Sequence, residues 1–315
     1  MHKSTKIIII FSIILLVTLG IIFNFSHTRN QASLSIIATN FPAYDFARAI
    51  TGDTAEIKML IKPGTEPHDF EPTPQDIIDI NNSQLFIYTG GESDEWIKDI
   101  IRDIDPTRTQ VYRMMDAVTP VEESIKEGME SPHEEQEDGI EYDEHVWTSP
   151  KNAIKIINSL KDKFIKISPQ NQAIFEKNTK SYTDQLSTLD QEIQAIINSA
   201  SRKVLVFGDR FPLRYFVDDY GLDYYAAFPG CSEQTEANST TIAFLIDKVK
   251  SKSIPVVFKT EMSSDKIART IADETGAKIL EFNAAHHISL DDFNSGLTYL
   301  DIMKNNLAPL REALK

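Results

Sequence analysis

Residues 34–61 run LSIIATNFPAYDFARAITGDTAEIKMLI. The apolar stretch 34–39 has strand character, 43–50 carries a helical pattern, Thr51-Gly52 stops that helix, and a second strand follows at 56–61. Strand, helix and strand in so short a span imply a βαβ unit, whose strands lie parallel because the helix carries the chain back along the sheet. The alternation continues outward. Thr73-Pro74 with Asp76 opens the next helix, as cap, first-turn proline and third-position acid. A strand at 85–88 ends at Gly90-Gly91, 96–101 is helical and 109–112 is a strand. In the second half, strands at 203–207, 223–228, 254–258 and 278–282 alternate with helices at 213–220, 240–249 and 265–274, and a closing helix covers 291–313. The Thr-Gly helix stop recurs at Thr275-Gly276.

Between the halves lies one long helical pattern. Ser168 is its expected cap and Pro169 its first turn, and Tyr182, Leu186, Leu189, Ile193 and Ile196 follow at helical spacing up to Ala200. At 1.5 Å per residue this is a strut of ~46 Å. The expected fold is therefore α/β: two lobes, each a mostly parallel sheet flanked by helices, joined by one long rigid helix with a cleft between them. The boundaries are an N-terminal lobe at 34–167, a linking helix at 168–200 and a C-terminal lobe at 201–315.

With 32 basic against 47 acidic residues the net charge is -15, which disfavours binding to a phosphate backbone and excludes nucleic acid as the default partner. The single cysteine, Cys231, rules out an internal disulfide, a four-cysteine zinc site and an iron–sulfur cluster. Lys3 and Lys6 precede an apolar run at 7–23, so residues 1–30 read as a signal peptide or signal anchor, with the anchor preferred. No cysteine follows the run, so no lipid anchor is expected there. The exported part then holds 29 basic and 47 acidic residues, a charge of -18.

The chemistry lies in the histidines. His68 sits in a proline-stiffened loop, Pro63-Gly64-Thr65-Glu66-Pro67-His68-Asp69-Phe70-Glu71-Pro72, directly after the second strand. His286 and His287 follow the last strand, and Asp209 follows the strand at 203–207. Ligands of open parallel sheets bind outside the carboxyl ends of strands. His145 precedes a helix capped by Ser149, and the neighbouring Asp143 is placed to orient its ring. A lone loop histidine is ordinarily only a solvated polar group. Two or three imidazoles with one carboxylate, however, make a tetrahedral set suited to zinc, with manganese possible.

At these residues the sequence resembles the zinc- and manganese-binding solute receptors of bacterial ABC importers, the cluster A-I metal-binding proteins. The resemblance is carried by Phe41-Pro42-Ala43-Tyr44-Asp45, by Pro63-Gly64-x-x-Pro67-His68-x-Phe70-x-Pro72 and by His145-Val146-Trp147-x-Ser149-Pro150. It is carried also by Glu261…Ile267-Ala268…Glu274-Thr275-Gly276-Ala277 and by Thr298-Tyr299-Leu300-x-x-Met303-x-x-Asn306-Leu307. It implies one metal clamped between the lobes, with His68 and His145 as ligands from the first. In the second lobe the sequence departs from the pattern. Asp209 stands where many members have a histidine, and His286-His287 where many have an aspartate. The expected set is His68, His145, Asp209 and His286, with His287 and Glu261 as alternates. The resemblance, set against members with one histidine before Asn-Val-Ser or Asn-Val-Thr, implies His286 rather than His287, and neighbours on an extended chain point opposite ways, so one ring rather than both is expected to reach the ion. The implied function is an extracytoplasmic, monomeric zinc receptor that is not an enzyme, held at the membrane by its N-terminal segment and delivering metal to an ABC permease. A metal-dependent adhesin and a zinc hydrolase are the rival readings. No HExxH or GxSxG motif supports the second.

The segment 121–144 stands apart, with eleven acidic residues and one lysine from Glu122 to Glu144, plus His133. A block of like charge is ordinarily disordered and solvated. By resemblance, its place before His145 is that of a metal-collecting loop, here a weak cation funnel.

Overall fold

Two four-stranded sheets organise the chain, and they share one topology. The computed structural model describes residues 33–66, 70–130, 141–230, 232 and 236–315. In the first sheet β1 (Leu34–Ala38), β2 (Ala55–Met59), β3 (Leu85–Tyr88) and β4 (Gln110–Arg113) take the order β2-β1-β3-β4. In the second, β5 (Val204–Phe211), β6 (Asp223–Pro229), β7 (Val256–Lys259) and β8 (Lys278–Glu281) take the order β6-β5-β7-β8. β3 pairs in parallel with β1 and β4, β5 with β6 and β7, and β7 with β8. In each sheet the order reverses beside its first strand, which places a binding crevice at the strands' carboxyl ends. The chain divides into two units, Met1–Leu34 and Ser35–Lys315, and the lobes make up the second.

Local signals set the helices. In α1 (Phe41–Thr51) the Asn40 side chain accepts from the Ala43 N–H and Pro42 occupies the first turn. Thr73 and Asp76 form a reciprocal capping box on α2 (Pro74–Asn82). After the short α3 (Ile97–Ile101), Ser149 caps α4 (Pro150–Ile167) by accepting from Asn152 N–H. The linking helix α5 (Gln172–Ser199) has 28 residues, or ~42 Å. It begins later than expected because Pro169–Asn171 form a 3-10 turn, and the Ser168 hydroxyl accepts from the Asn171 side chain at 3.0 Å instead of capping.

The second lobe adds α6 (Arg214–Tyr220), α7 (Ser239–Ser251) and α8 (Lys266–Thr275). The single closing helix expected at 291–313 is three: α9 (Leu290–Ser295), α10 (Tyr299–Asn305) and α11 (Leu307–Ala313). Gly296 turns left-handed at φ 79° and ends α9, and a Thr298–Asp301 capping box starts α10. Apolar spacing alone does not show such a break, because the residues on either side stay in phase.

The linking helix buries Phe175, Leu186, Leu189, Ile193 and Ile197, and packs on α1 and α4 as well as on α10 and α11. Asp45 ties these parts together. Its Oδ2 accepts from the Tyr182 hydroxyl of α5 at 3.0 Å and from the Tyr299 N–H of α10 at 2.9 Å, while Arg48 pairs with Oδ1. Burial raises its carboxyl above the usual range against the pull of Arg48.

The acidic segment is not simply solvated. Glu123 and Asp143 donate to Glu141 and Val121 carbonyls, which pins its two ends together. Residues up to Glu130 then lie on the second lobe. Glu130 N–H donates to the Ala227 carbonyl at 2.9 Å, Lys126 Nζ sits 4.2 Å from the Tyr224 ring centre, and Met129 is buried. These contacts outweigh the repulsion of like charges. The funnel's middle, 131–140 with His133, lies outside the described residues, as do the signal segment 1–30 and His68. Among the described residues no helix is long and apolar enough to cross a membrane.

Candidate metal centre

His145 is fully buried at the head of the 3-10 turn that leads into α4. Its Nδ1 lies 3.1 Å from Asp143 Oδ1, which also accepts the His145 backbone N–H at 2.8 Å. A proton held on Nδ1 by that carboxylate leaves the lone pair on Nε2. Among the described residues Nε2 is buried with no hydrogen-bond partner, which is unusual for a polar atom inside a fold. Burial lowers the affinity of the ring for a second proton, but Asp143 outweighs it and the pKa is raised.

From the second lobe, His286 meets this ring edge to face, with centroids 4.8 Å apart. The residues are far apart in sequence and arrive by different elements. The Glu261 carboxylate, just after β7, accepts the backbone N–H groups of Ala284, His286 and His287 at 2.8, 2.8 and 3.1 Å and so clamps the loop after β8. Both its oxygens are occupied by backbone. Ala285 turns the chain at φ 58°. The chain there is therefore not extended, and the two histidines do not point opposite ways: their rings lie 4.9 Å apart. Trp147 backs the centre. It is fully buried, its ring centroid is 5.5 Å from that of His145 and 5.7 Å from that of His286, and its Nε1 donates to the Ala284 carbonyl at 2.8 Å.

Two groups of donors result. One is Glu144, His145 and His286, all buried; the other is Glu66, His286 and His287, at the mouth of a cleft of about 180 Å³. In each, one donor atom per residue lies within 4.8 Å of the others. Glu66 Oε2 also pairs with Arg210 at 3.2 Å, which joins the proline loop to the second lobe. Asp209 enters neither group. It sits in a bulge of β5, where a side chain on Gly208 would strike the Ala268 backbone at 2.6 Å. Its Oδ2 accepts from Thr260 N–H, Thr260 hydroxyl and Ser263 hydroxyl, and its Oδ1 from Arg210 N–H. So the structure joins His145 with His286 and His287, and turns Asp209 and Glu261 toward neighbouring protein groups.

Glu144 is the residue that sequence reading passed over as part of an acidic run. Only its adjacency to His145 marks it there. It is 2% exposed, and its presence charges its surroundings. Burial first, then the Glu144 carboxylate, pushes Asp94 up to about 7, against hydrogen bonds from the Gly90 and Thr89 N–H groups. Glu92, raised to about 8 by burial and by its bond to Glu141, acts in the same direction. The linkage has a definite sign. Between the unfolded value of 3.8 and about 7 the folded chain holds a proton that the unfolded chain has lost, so this contribution to stability declines as pH rises through that window. In Asp94→Asn the carbonyl still accepts the two N–H groups but does not titrate. The stability advantage of the wild type over this variant is expected to shrink steadily from pH 4.5 to 7.5, measured by urea unfolding in chelator. A constant difference across that range would contradict it.

Comparison with known proteins places the chain in a family. Residues 36–313 match the model of the zinc-uptake complex component A periplasmic proteins. The chain is 31% identical over 286 residues to the high-affinity zinc uptake system protein ZnuA of Bacillus subtilis, covering 89% of this chain and 88% of that protein. It is 28% identical over 282 residues to the zinc-binding lipoprotein AdcA of Streptococcus pneumoniae, covering 90% of this chain but 56% of the relative, and so spans about half of that protein. The crystal structure of the Zn(II)-bound ZnuA-like domain of AdcA superposes with a TM-score of 0.75 at 27% identity, covering 90% of this chain and 99% of that domain.

Proposed function

Since the chain belongs to the zinc-uptake complex component A periplasmic family, we propose that it is an extracytoplasmic zinc receptor that binds the ion between its lobes and hands it to an ABC permease. It acts as a monomer, held at the membrane by its N-terminal segment, and binds and releases its cargo without catalysis. His145, His286 and His68 supply imidazoles, and a carboxylate completes four-coordination. The observation that carries this reading is the buried, partnerless Nε2 of His145 beside the His286 ring from the other lobe. An imidazole-rich set favours zinc over manganese, which prefers oxygen donors.

Metal then stabilises the folded chain by mass action: at free zinc about 100 times the dissociation constant, the gain is about 2.7 kcal/mol. Melting in chelator and in zinc, with metal analysis and anomalous scattering at the zinc and manganese edges, checks this. Coincident melting curves, or stoichiometric manganese that zinc cannot displace, would overturn it.

A further inference from the structure

Glu144 and His145 are adjacent, and adjacent residues of an extended chain diverge. Here the chain is not extended. His145 has φ -78° and ψ 45°, and Val146 N–H donates back to the Glu144 carbonyl at 2.7 Å. This is an inverse γ-turn centred on His145, and it swings both side chains to one side. Gly91 makes room for the carboxylate, because a Cβ there would lie 2.1 Å from Glu144 Cβ. Ser93 then holds the carboxylate from behind: its N–H donates to Oε2 at 3.0 Å and its hydroxyl to Oε1. Oε1 lies 3.9 Å from His286 Nε2. Donors bound to one tetrahedral zinc at 2.0–2.2 Å stand ~3.4 Å apart, so this pair is about half an ångström wider than an ion would hold it, and all three donors lie within 4.8 Å of one another. Among the described residues, no lysine or arginine pairs with this buried carboxylate.

We propose that Glu144, rather than Asp209, is the carboxylate ligand of the transported ion, so that the Glu144-His145 dipeptide supplies two donors and His286 a third. This rests on the receptor reading. Asp209, with its four hydrogen bonds, is then a brace for the loop after β7. A set in which one γ-turn supplies two ligands ties metal capture to the conformation of residues 143–146, where the acidic segment joins α4.

The test compares Glu144→Gln, Asp209→Asn and Ser93→Ala, each in the full exported chain and checked for folding by melting in chelator. Zinc affinity is read by competition with a chromophoric chelator, and the ligand set by the visible d–d spectrum of the cobalt(II)-substituted protein. Glu144→Gln is expected to weaken zinc on the order of a hundredfold and to alter the cobalt spectrum. Asp209→Asn should leave zinc affinity and the cobalt spectrum near those of the wild type, whereas Ser93→Ala, which removes a bond to the Glu144 carboxylate, should weaken zinc by about 10–100-fold. An unchanged spectrum in Glu144→Gln, or an altered one in Asp209→Asn, overturns the assignment. If Glu144→Gln fails to fold, Glu144→Asp, which keeps the charge but falls short of the ion, is read by the same two criteria. Failure of the receptor reading looks different: His145→Ala and His286→Ala would then bind zinc like the wild type.

Discussion

His286→Ala weakens zinc binding by a hundredfold or more, about 3 kcal/mol at neutral pH and fixed salt. Among the described residues the ring is the one member shared by both donor groups, and its centroid lies 4.8 Å from that of His145. Its removal takes away the second-lobe donor grouped with His145 and Glu144. His287→Ala serves as the comparison. Its Nε2 lies 3.2 Å from Glu66 Oε2, in the lining of the cleft, and its loss should change affinity far less than the loss of His286. Chelator competition at equilibrium measures both. A His286→Ala protein with near wild-type affinity and a crippled His287→Ala would move the ligand one residue along the chain.

Trp147→Ala has the largest expected effect on the fold. The indole is fully buried and bonds to the Ala284 carbonyl, while the Trp147 carbonyl accepts the Tyr299 hydroxyl at 2.5 Å. One residue thus fastens the entry of α4 to the histidine loop and to α10. Truncation opens a cavity and strips the Ala284 carbonyl of its donor, a loss of about 4 kcal/mol. In a domain of this size that lowers Tm by roughly 8–16 °C. Trp147→Phe keeps most of the packing and loses only the hydrogen bond, so about 1–2 kcal/mol is expected. Urea unfolding of the metal-free proteins decides it. A Trp147→Ala loss below about 1 kcal/mol would show that the loop is held by other contacts.

How much of this was legible beforehand differs from element to element. The strand at 85–88 matches β3 residue for residue, and the cap at Ser149 and the box at Thr73–Asp76 appear as read. Such features depend on neighbours within four positions, and periodicity and capping chemistry report on that range. The break at Gly296 was missed because a glycine and a threonine within an apolar pattern do not say which backbone conformation wins. The described ends of the acidic segment depart from the solvated reading for the opposite reason. Charge counting weighs its acids and ignores the surface that Met129 and Lys126 find on β6.

The centre itself divides along the same line. Chain order alone determined the α/β lobes, the linking helix and the suspicion that falls on His145 and His286, since an imidazole before a helix cap or after a strand end is visible in one dimension. Only the tertiary structure decided which donors meet. The γ-turn at His145 and the left-handed Ala285 are backbone conformations that residue type does not announce, and the Glu261 clamp joins groups 23 to 26 residues apart. Asp209 has the chemistry of a ligand and spends it on Thr260 and Ser263; Glu144 looked like one acid among eleven. Charge and donor type are properties of a residue, but coordination is a distance between residues, and that distance is set by packing.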